Sequence, residues 1–240
     1  MTFHFKQFRI NDEHSTLRIG TDSMLLGAWA DPLNARKILD IGTGCGVLAL
    51  MMAQKSEATI EAIDIDPSSV NEARANFSNS PWSDRLTAIH TSLQASAGHS
   101  EGKFDFIITN PPFFDDSQRS STIRRNSTRH HDHLTFEELL CCGSSLLTED
   151  GTFALVLPAL NYNTFLPVSK KYGLFLKRRM VVFPKPASRP KRMLMEFTRL
   201  EPTWVTGSEL IILDGSGKFS SPYLVLTDRF HNFKPTRDLF

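Results

Sequence analysis

The chain has 240 residues, 40% hydrophobic and 22% charged, with a formal net charge of +1. That size fits one domain, or one domain with appendages, and the composition excludes wholesale disorder. Three cysteines, two adjacent (Cys141 and Cys142) and one alone (Cys45), exclude a disulfide framework and a zinc quartet.

In chain order, Met1 to Lys6 has no apolar core of the kind a secretory signal carries. Arg36 to Asp40 reads as a short buried strand running into Gly42, Gly44 and Gly46. Val47 to Gln54 reads as a helix apolar on most faces, and even this region is far too short to span a membrane. Thr59 to Asp64 is the next strand, and Pro67 opens a helix to about Phe77 with Asp66 as its cap. Leu86 to His90 and Phe104 to Thr109 are the third and fourth strands. Thr135 and Glu138 predict a capping box at the start of a helix. Thr152 to Leu157 is a fifth strand, and Asn163 to Lys171 a helix that contains Pro167. Leu174 to Phe183 and Met193 to Leu200 predict an antiparallel pair. Their Pro-rich basic connection is expected to be an extended arm. In the tail, Leu210 to Leu213 predicts a strand, Asp214 to Gly217 a turn, and Tyr223 to Phe230 a helix. The alternation predicts an α/β fold, a doubly wound Rossmann-like sheet with antiparallel C-terminal edge strands.

Charge is unevenly placed. Arg119 to His131 carries four arginines and no acid, and Lys177 to Arg192 carries seven basic residues and no acid. Without those eleven, sixteen of the 27 basic residues remain against 26 acids. Two acid-free stretches on an acidic chain predict a polyanion footprint.

Ligands of such sheets bind beyond the carboxyl ends of the strands. The first such end is Asp40-Ile-Gly-Thr-Gly-Cys-Gly46, which lacks the third glycine of a dinucleotide fingerprint because position 47 is valine. Asp40 would repel a phosphate there and attract an ammonium or sulfonium. Asp64 ends the second strand, where an acid can hold both ribose hydroxyls. A ribose, a cationic centre and no phosphate together describe S-adenosylmethionine.

The fourth strand ends in Asn110-Pro111-Pro112-Phe113. An exocyclic amine on a heteroaromatic ring is a poor nucleophile. Two acceptors aimed at its N–H groups, the Asn110 side-chain oxygen and the Pro111 carbonyl, would stabilise the positive charge that develops during methyl transfer. Two prolines fix the direction of that carbonyl, and Phe113 offers a stacking face for an extruded base.

These motifs resemble the class I S-adenosylmethionine-dependent amino-methyltransferases. With Phe5-Lys-Gln-Phe8, Gly20-Thr-Asp-Ser-Met-Leu-Leu-Gly-Ala-Trp-Ala30, Ser80-Pro-Trp82 and Tyr223-x-x-Leu-Thr-x-x-Phe230, the sequence resembles the bacterial valine-tRNA adenine-N6 methyltransferase family over nearly its whole length. The resemblance implies one methyltransferase domain over 1–240: a cofactor-covering segment at 1–35, a core at 36–200 and an extension at 201–240. It implies methylation of the adenine just 3′ of the anticodon (position 37); the cysteine pattern predicts a reduced, cytoplasmic protein, and neither a metal nor an obligate protein partner is expected. Thr21 and Asp22 would lie beside the methionine end of the cofactor, which would also meet Asp40, Gly42, Gly44, Gly46, Asp64, Ile65, Ser92, Leu93 and Asn110. Ser92 stands where related enzymes usually place an acid for the cofactor's adenine amine. Arg124, Arg125, Arg129, Lys185, Arg189, Lys191 and Arg192 would meet the anticodon loop of the tRNA. The Asn-Pro-Pro-aromatic motif also serves methylation of ribosomal guanine or of a release-factor glutamine. A non-catalytic RNA-binding scaffold is a further alternative.

Overall fold

A computed structural model describes residues 1–15, 18–32, 34–98, 103–111 and 134–231. A small antiparallel ribbon, β1 (Thr2–His4) with β2 (Arg9–Asn11), precedes α1 (Thr21–Trp29). The alternating core follows: β3 (Lys37–Ile41), α2 (Val47–Lys55), β4 (Thr59–Asp64), α3 (Pro67–Ser78), β5 (Leu86–His90), α4 (Leu93–Ala97) and β6 (Phe104–Thr109). Then come α5 (Phe136–Leu146), β7 (Leu147–Pro158), α6 (Tyr162–Lys171), β8 (Phe175–Phe183), β9 (Arg192–Thr198), β10 (Thr206–Ile211) and α7 (Ser221–Thr227).

Eight strands make one sheet in the order β10-β8-β9-β7-β6-β3-β4-β5. In this sheet β9 runs against the rest: it is antiparallel to β7 and β8, while every other neighbouring pair is parallel. The expected doubly wound sheet and the antiparallel β8–β9 pair are both present. The tail adds a difference, because its strand starts at Thr206, ahead of the expected Leu210, and pairs parallel to β8. All residues of that strand but Leu210 are exposed, so the apolar pattern used to find it marks only its C-terminal end.

Central strands covered on both faces read as continuous apolar runs, and their alternate residues feed two cores. Ile38, Phe106 and Ile108 face the core shared with α1, α2 and α3. Leu39, Ile107 and Leu155 face the one shared with α5 and α6. Helix α2 is apolar all round because Val47 to Ala53 are all buried. Asp66 caps α3 by accepting from Ser69 N at 2.8 Å, and Thr135 with Glu138 forms the expected capping box on α5.

The chain outside the sheet is laced to itself. Phe5 and Phe8 stack at 4.3 Å, and Phe8 meets Trp82 edge-on at 5.8 Å. Lys6 N donates to Phe230 O at 2.9 Å, and Lys6 Nζ pairs with Asp228 at 2.9 Å. Glu72 of α3 accepts from the backbone N–H groups of Glu13, His14 and Ser15 at 2.7, 3.1 and 2.8 Å. The N-terminal motif and the closing helix therefore meet in one region.

Candidate active site

The loop between β3 and α2 turns through left-handed backbone at Gly42, Gly44 and Gly46, with φ of 68°, 56° and 90°. A Cβ on Gly46 would also lie 2.5 Å from the Phe77 ring. The loop is fastened to the end of β4: Gly42 N and Thr43 N donate to Ile63 O at 2.9 and 3.1 Å, and Gly44 N donates to Asp64 Oδ2 at 2.9 Å. Asp40 is wholly buried beneath it. Its Oδ2 accepts from Thr43 Oγ1 at 2.7 Å and from Ala49 N at 3.1 Å, which ties the loop to the first turn of α2. Its Oδ1 is buried with no partner among the described residues. Burial pushes the Asp40 carboxyl up to about 7, so near neutral pH it carries part of a charge rather than the full charge expected from the sequence.

Asp64 is half-buried at the strand end, and its Oδ1 accepts from Asp66 N at 2.9 Å. Each of its oxygens thus holds one backbone amide and keeps further acceptor capacity. Ile65 follows with 56% of its surface exposed, an apolar face beside the carboxylate. Ser92 caps α4 by accepting from Ala95 N at 3.1 Å, a role beyond the one expected of it, and Leu93 is buried behind it.

At the end of β6, Thr109 Oγ1 donates to Ile41 O at 2.9 Å. Asn110 Nδ2 then donates to Ser23 Oγ on α1 at 2.9 Å, and Asn110 Oδ1 is buried with no partner among the described residues. Ser23 lies within the Gly20–Ala30 stretch, yet nothing in the local pattern links it to a residue 87 positions away. Pro111 is buried at the start of the exit, whereas Pro112 and Phe113 lie outside the described residues, as do Arg124, Arg125 and Arg129.

Thr21 is the first residue of α1, which has Gly20 as its N-cap and no side-chain cap. Asp22 Oδ2 accepts from Arg192 Nε at 2.7 Å. The β8–β9 connection is a turn rather than the extended arm expected from its prolines. Ser188 Oγ donates to Lys185 O at 2.6 Å, Ala187 takes a φ of +58°, and Lys191 N closes onto Val182 O at 2.8 Å. Lys185, Arg189 and Lys191 are exposed on it. The stretch of seven basic residues is therefore divided. Arg178 forms a two-armed pair with the buried Glu196 at 2.9 and 2.5 Å, Arg179 donates to the Tyr162 hydroxyl at 2.6 Å, and Arg192 is held by Asp22.

The donor set fits the cofactor implied by the sequence. Two acceptor oxygens, on Asp40 and Asn110, are buried and unpartnered among the described residues, and Asp64 with Ile65 offers a carboxylate beside an apolar face. Among the described residues no group of His, Cys, Asp or Glu is arranged to hold a metal ion.

Residues 14–173 match the family model described as Methyltransferase small domain, and the chain belongs to that family of enzymes. Solved structures share the fold. One, described as a predicted O-methyltransferase from Agrobacterium tumefaciens, has a TM-score of 0.70 at 19% identity and covers 87% of this chain and 96% of that one. Another, P. horikoshii TYW2 in complex with MeSAdo, has a TM-score of 0.58 at 14% identity, covering 83% and 71%. Curated relatives narrow the assignment. A protein of Phocaeicola vulgatus is 41% identical, with 95% of this chain and 97% of that protein covered; one of Shewanella loihica is 37% identical, with 96% and 99% covered. Both are named tRNA1(Val) (adenine(37)-N6)-methyltransferase, and the chain is a member of the family they represent.

Proposed function

We propose that the protein transfers a methyl group from S-adenosylmethionine to N6 of adenine 37 in valine tRNA, the base immediately 3′ of the anticodon. The observation that carries this reading is the Asn110 amide. It is anchored through its nitrogen at 2.9 Å, with its oxygen buried at the strand end beside the glycine loop and unpartnered among the described residues. The near full-length relatives of that name support the choice of substrate.

When bound, the cofactor would supply an electrophilic methyl on a sulfonium. Asp64 would accept from the ribose hydroxyls, Ile65 would pack on the adenine, and the Asp40 oxygen that has no partner among the described residues would favour the cationic methionine end. Asn110 Oδ1 and the Pro111 carbonyl would accept the two N–H groups of the target amine. Those bonds strengthen as the nitrogen becomes positive, so the stabilisation is greatest in the transition state. Holding the amine in line supplies much of the remaining rate enhancement. The exposed Lys185, Arg189 and Lys191, together with Arg124, Arg125 and Arg129, would meet phosphates of a single-stranded loop, and Phe113 would stack the extruded base.

The test incubates bulk tRNA from a strain lacking this gene with the purified protein and labelled cofactor. Nucleoside mass spectrometry should find N6-methyladenosine at position 37 of valine tRNA. Label in a guanosine, or no label in valine tRNA while an added release factor is labelled at glutamine, would overturn the reading.

A further inference from the structure

Two bonds leave neighbouring residues of the first turn of α1 for different strands. Asp22 accepts from Arg192 Nε at 2.7 Å, with both side chains largely shielded at 19% and 23% exposed. Ser23, buried, accepts from Asn110 Nδ2 at 2.9 Å. Arg192 opens β9 opposite Pro158 at the end of β7, and Asn110 follows the end of β6, so both stand on the carboxyl edge of the sheet.

The terminal torsion of an asparagine is broad, so its amide takes the direction that its partners impose. Here the partner on the described residues is Ser23, and Ser23 can be no better fixed than the turn that carries it. That turn is weakly anchored from within: Gly20 gives no side-chain cap, and the first backbone bond, Met24 N to Gly20 O, is 3.3 Å long. A charge-assisted bond to Arg192 supplies the missing anchorage, and Asp22 suits the positive end of the helix dipole.

We propose that Arg192 is a positioning residue for methyl transfer: it acts through Asp22 and Ser23 to hold the Asn110 amide and does not serve as a contact to the RNA backbone. This inference rests on the reading of Asn110 as the acceptor of the target amine. Because the Arg192 charge is already matched by a partly buried carboxylate, it is not available to phosphate in the way the charges of Lys185, Arg189 and Lys191 are.

Steady-state kinetics with unmodified tRNA and saturating cofactor test it, alongside tRNA binding as a function of salt. Arg192→Ala should lower kcat by about tenfold, the scale of a small misplacement of a reacting group, with KM for tRNA and the salt slope unchanged. Arg192→Lys, which keeps one donor and the charge, should lower kcat by less than Arg192→Ala does. Ser23→Ala should give a loss like that of Arg192→Ala, and the double variant should be little worse than either single one, because both act on one group. Full kcat in Arg192→Ala, with weaker tRNA binding and a slope shallower by roughly 0.7, would make Arg192 a phosphate contact and overturn the proposal. If Arg192→Ala fails to fold, Arg192→Lys decides: a lowered kcat at unchanged tRNA affinity supports the proposal, and full kcat overturns it. A wild type inactive on tRNA would end the functional reading and this inference with it. An active wild type and an unimpaired Arg192→Ala would end this inference alone.

Discussion

At the carboxyl ends of β3 and β4, the carboxylates are already employed by the fold. Asp40 holds Thr43 and the Ala49 amide, and Asp64 holds the Gly44 and Asp66 amides. Across the sheet, past β7, Lys185, Arg189 and Lys191 project from a turn whose internal bonds are made by backbone groups and Ser188, with none of the three charges in an ion pair among the described residues. One part of the carboxyl edge is shaped before any ligand arrives, because shielded carboxylates and glycine amides must find partners as the chain folds. The other part offers exposed charges, which cost little to fold and little to change. A small cofactor can be recognised by the first kind of surface, and a flexible polyanion by the second.

Removing Asn110 would break the built side hardest. Asn110→Ala should lower kcat by on the order of 10²–10³ while cofactor binding is preserved, since on the proposed reading the deleted oxygen accepts from the target amine. Single-turnover methylation of tRNA, with calorimetry of cofactor binding, separates the two. Near-normal turnover would remove Asn110 from the mechanism.

Asp64→Ala should weaken cofactor binding by about 1.5–3 kcal/mol, through loss of bonds to the ribose and loosening of the Gly44 amide. Unchanged affinity by calorimetry would place the nucleoside elsewhere.

Asp40 sharpens the same side through pH. Its folded-state pKa is about 7 against an ordinary 3.8, so between those values the native protein binds a proton that the unfolded chain has released. Its contribution to stability therefore falls as pH rises from about 4 to about 7 and is flat above. Asp40→Asn cannot titrate, so its thermal midpoint should change less over that window than that of the wild type. Parallel curves for the two proteins would show that Asp40 is not the group responsible.

The same contrast explains what is legible in the sequence. The strands of the parallel core, the Asp66 cap and the Thr135–Glu138 box follow from local rules that the fold must obey, and each is present. The glycine loop is readable because left-handed backbone at three positions leaves few other residues possible. The Ser23–Asn110 and Asp22–Arg192 bonds join residues far apart in the chain, and no local pattern encodes them. The basic stretch misleads for a related reason. Consecutive residues of a strand point to opposite faces, so Arg178 and Arg179 of β8 do not share one surface with the turn. Arg178 balances Glu196 instead, and the prolines that suggest an extended arm leave room for a tight turn at Ala187.

The exposed side should respond most weakly, and in a way only salt reveals. Lys185, Arg189 and Lys191 stand on the carboxyl edge, because Lys191 O accepts from Ala159 N just beyond the end of β7. Neutralising all three to glutamine leaves the Ser188–Lys185 bonds and the Lys191–Val182 bond intact, since the first use only the backbone of Lys185 and the second is between backbone groups. Folding and cofactor affinity should therefore be unchanged. For every phosphate that is no longer neutralised, the slope of log affinity against log salt should become shallower by roughly 0.7, so tRNA binding weakens most at low salt and least at high salt. Arg192 is left in place, which keeps its pair with Asp22 out of the measurement. A triple variant with wild-type affinity and slope would make this turn an ordinary solvated hairpin, and the tRNA would then have to be held by another surface.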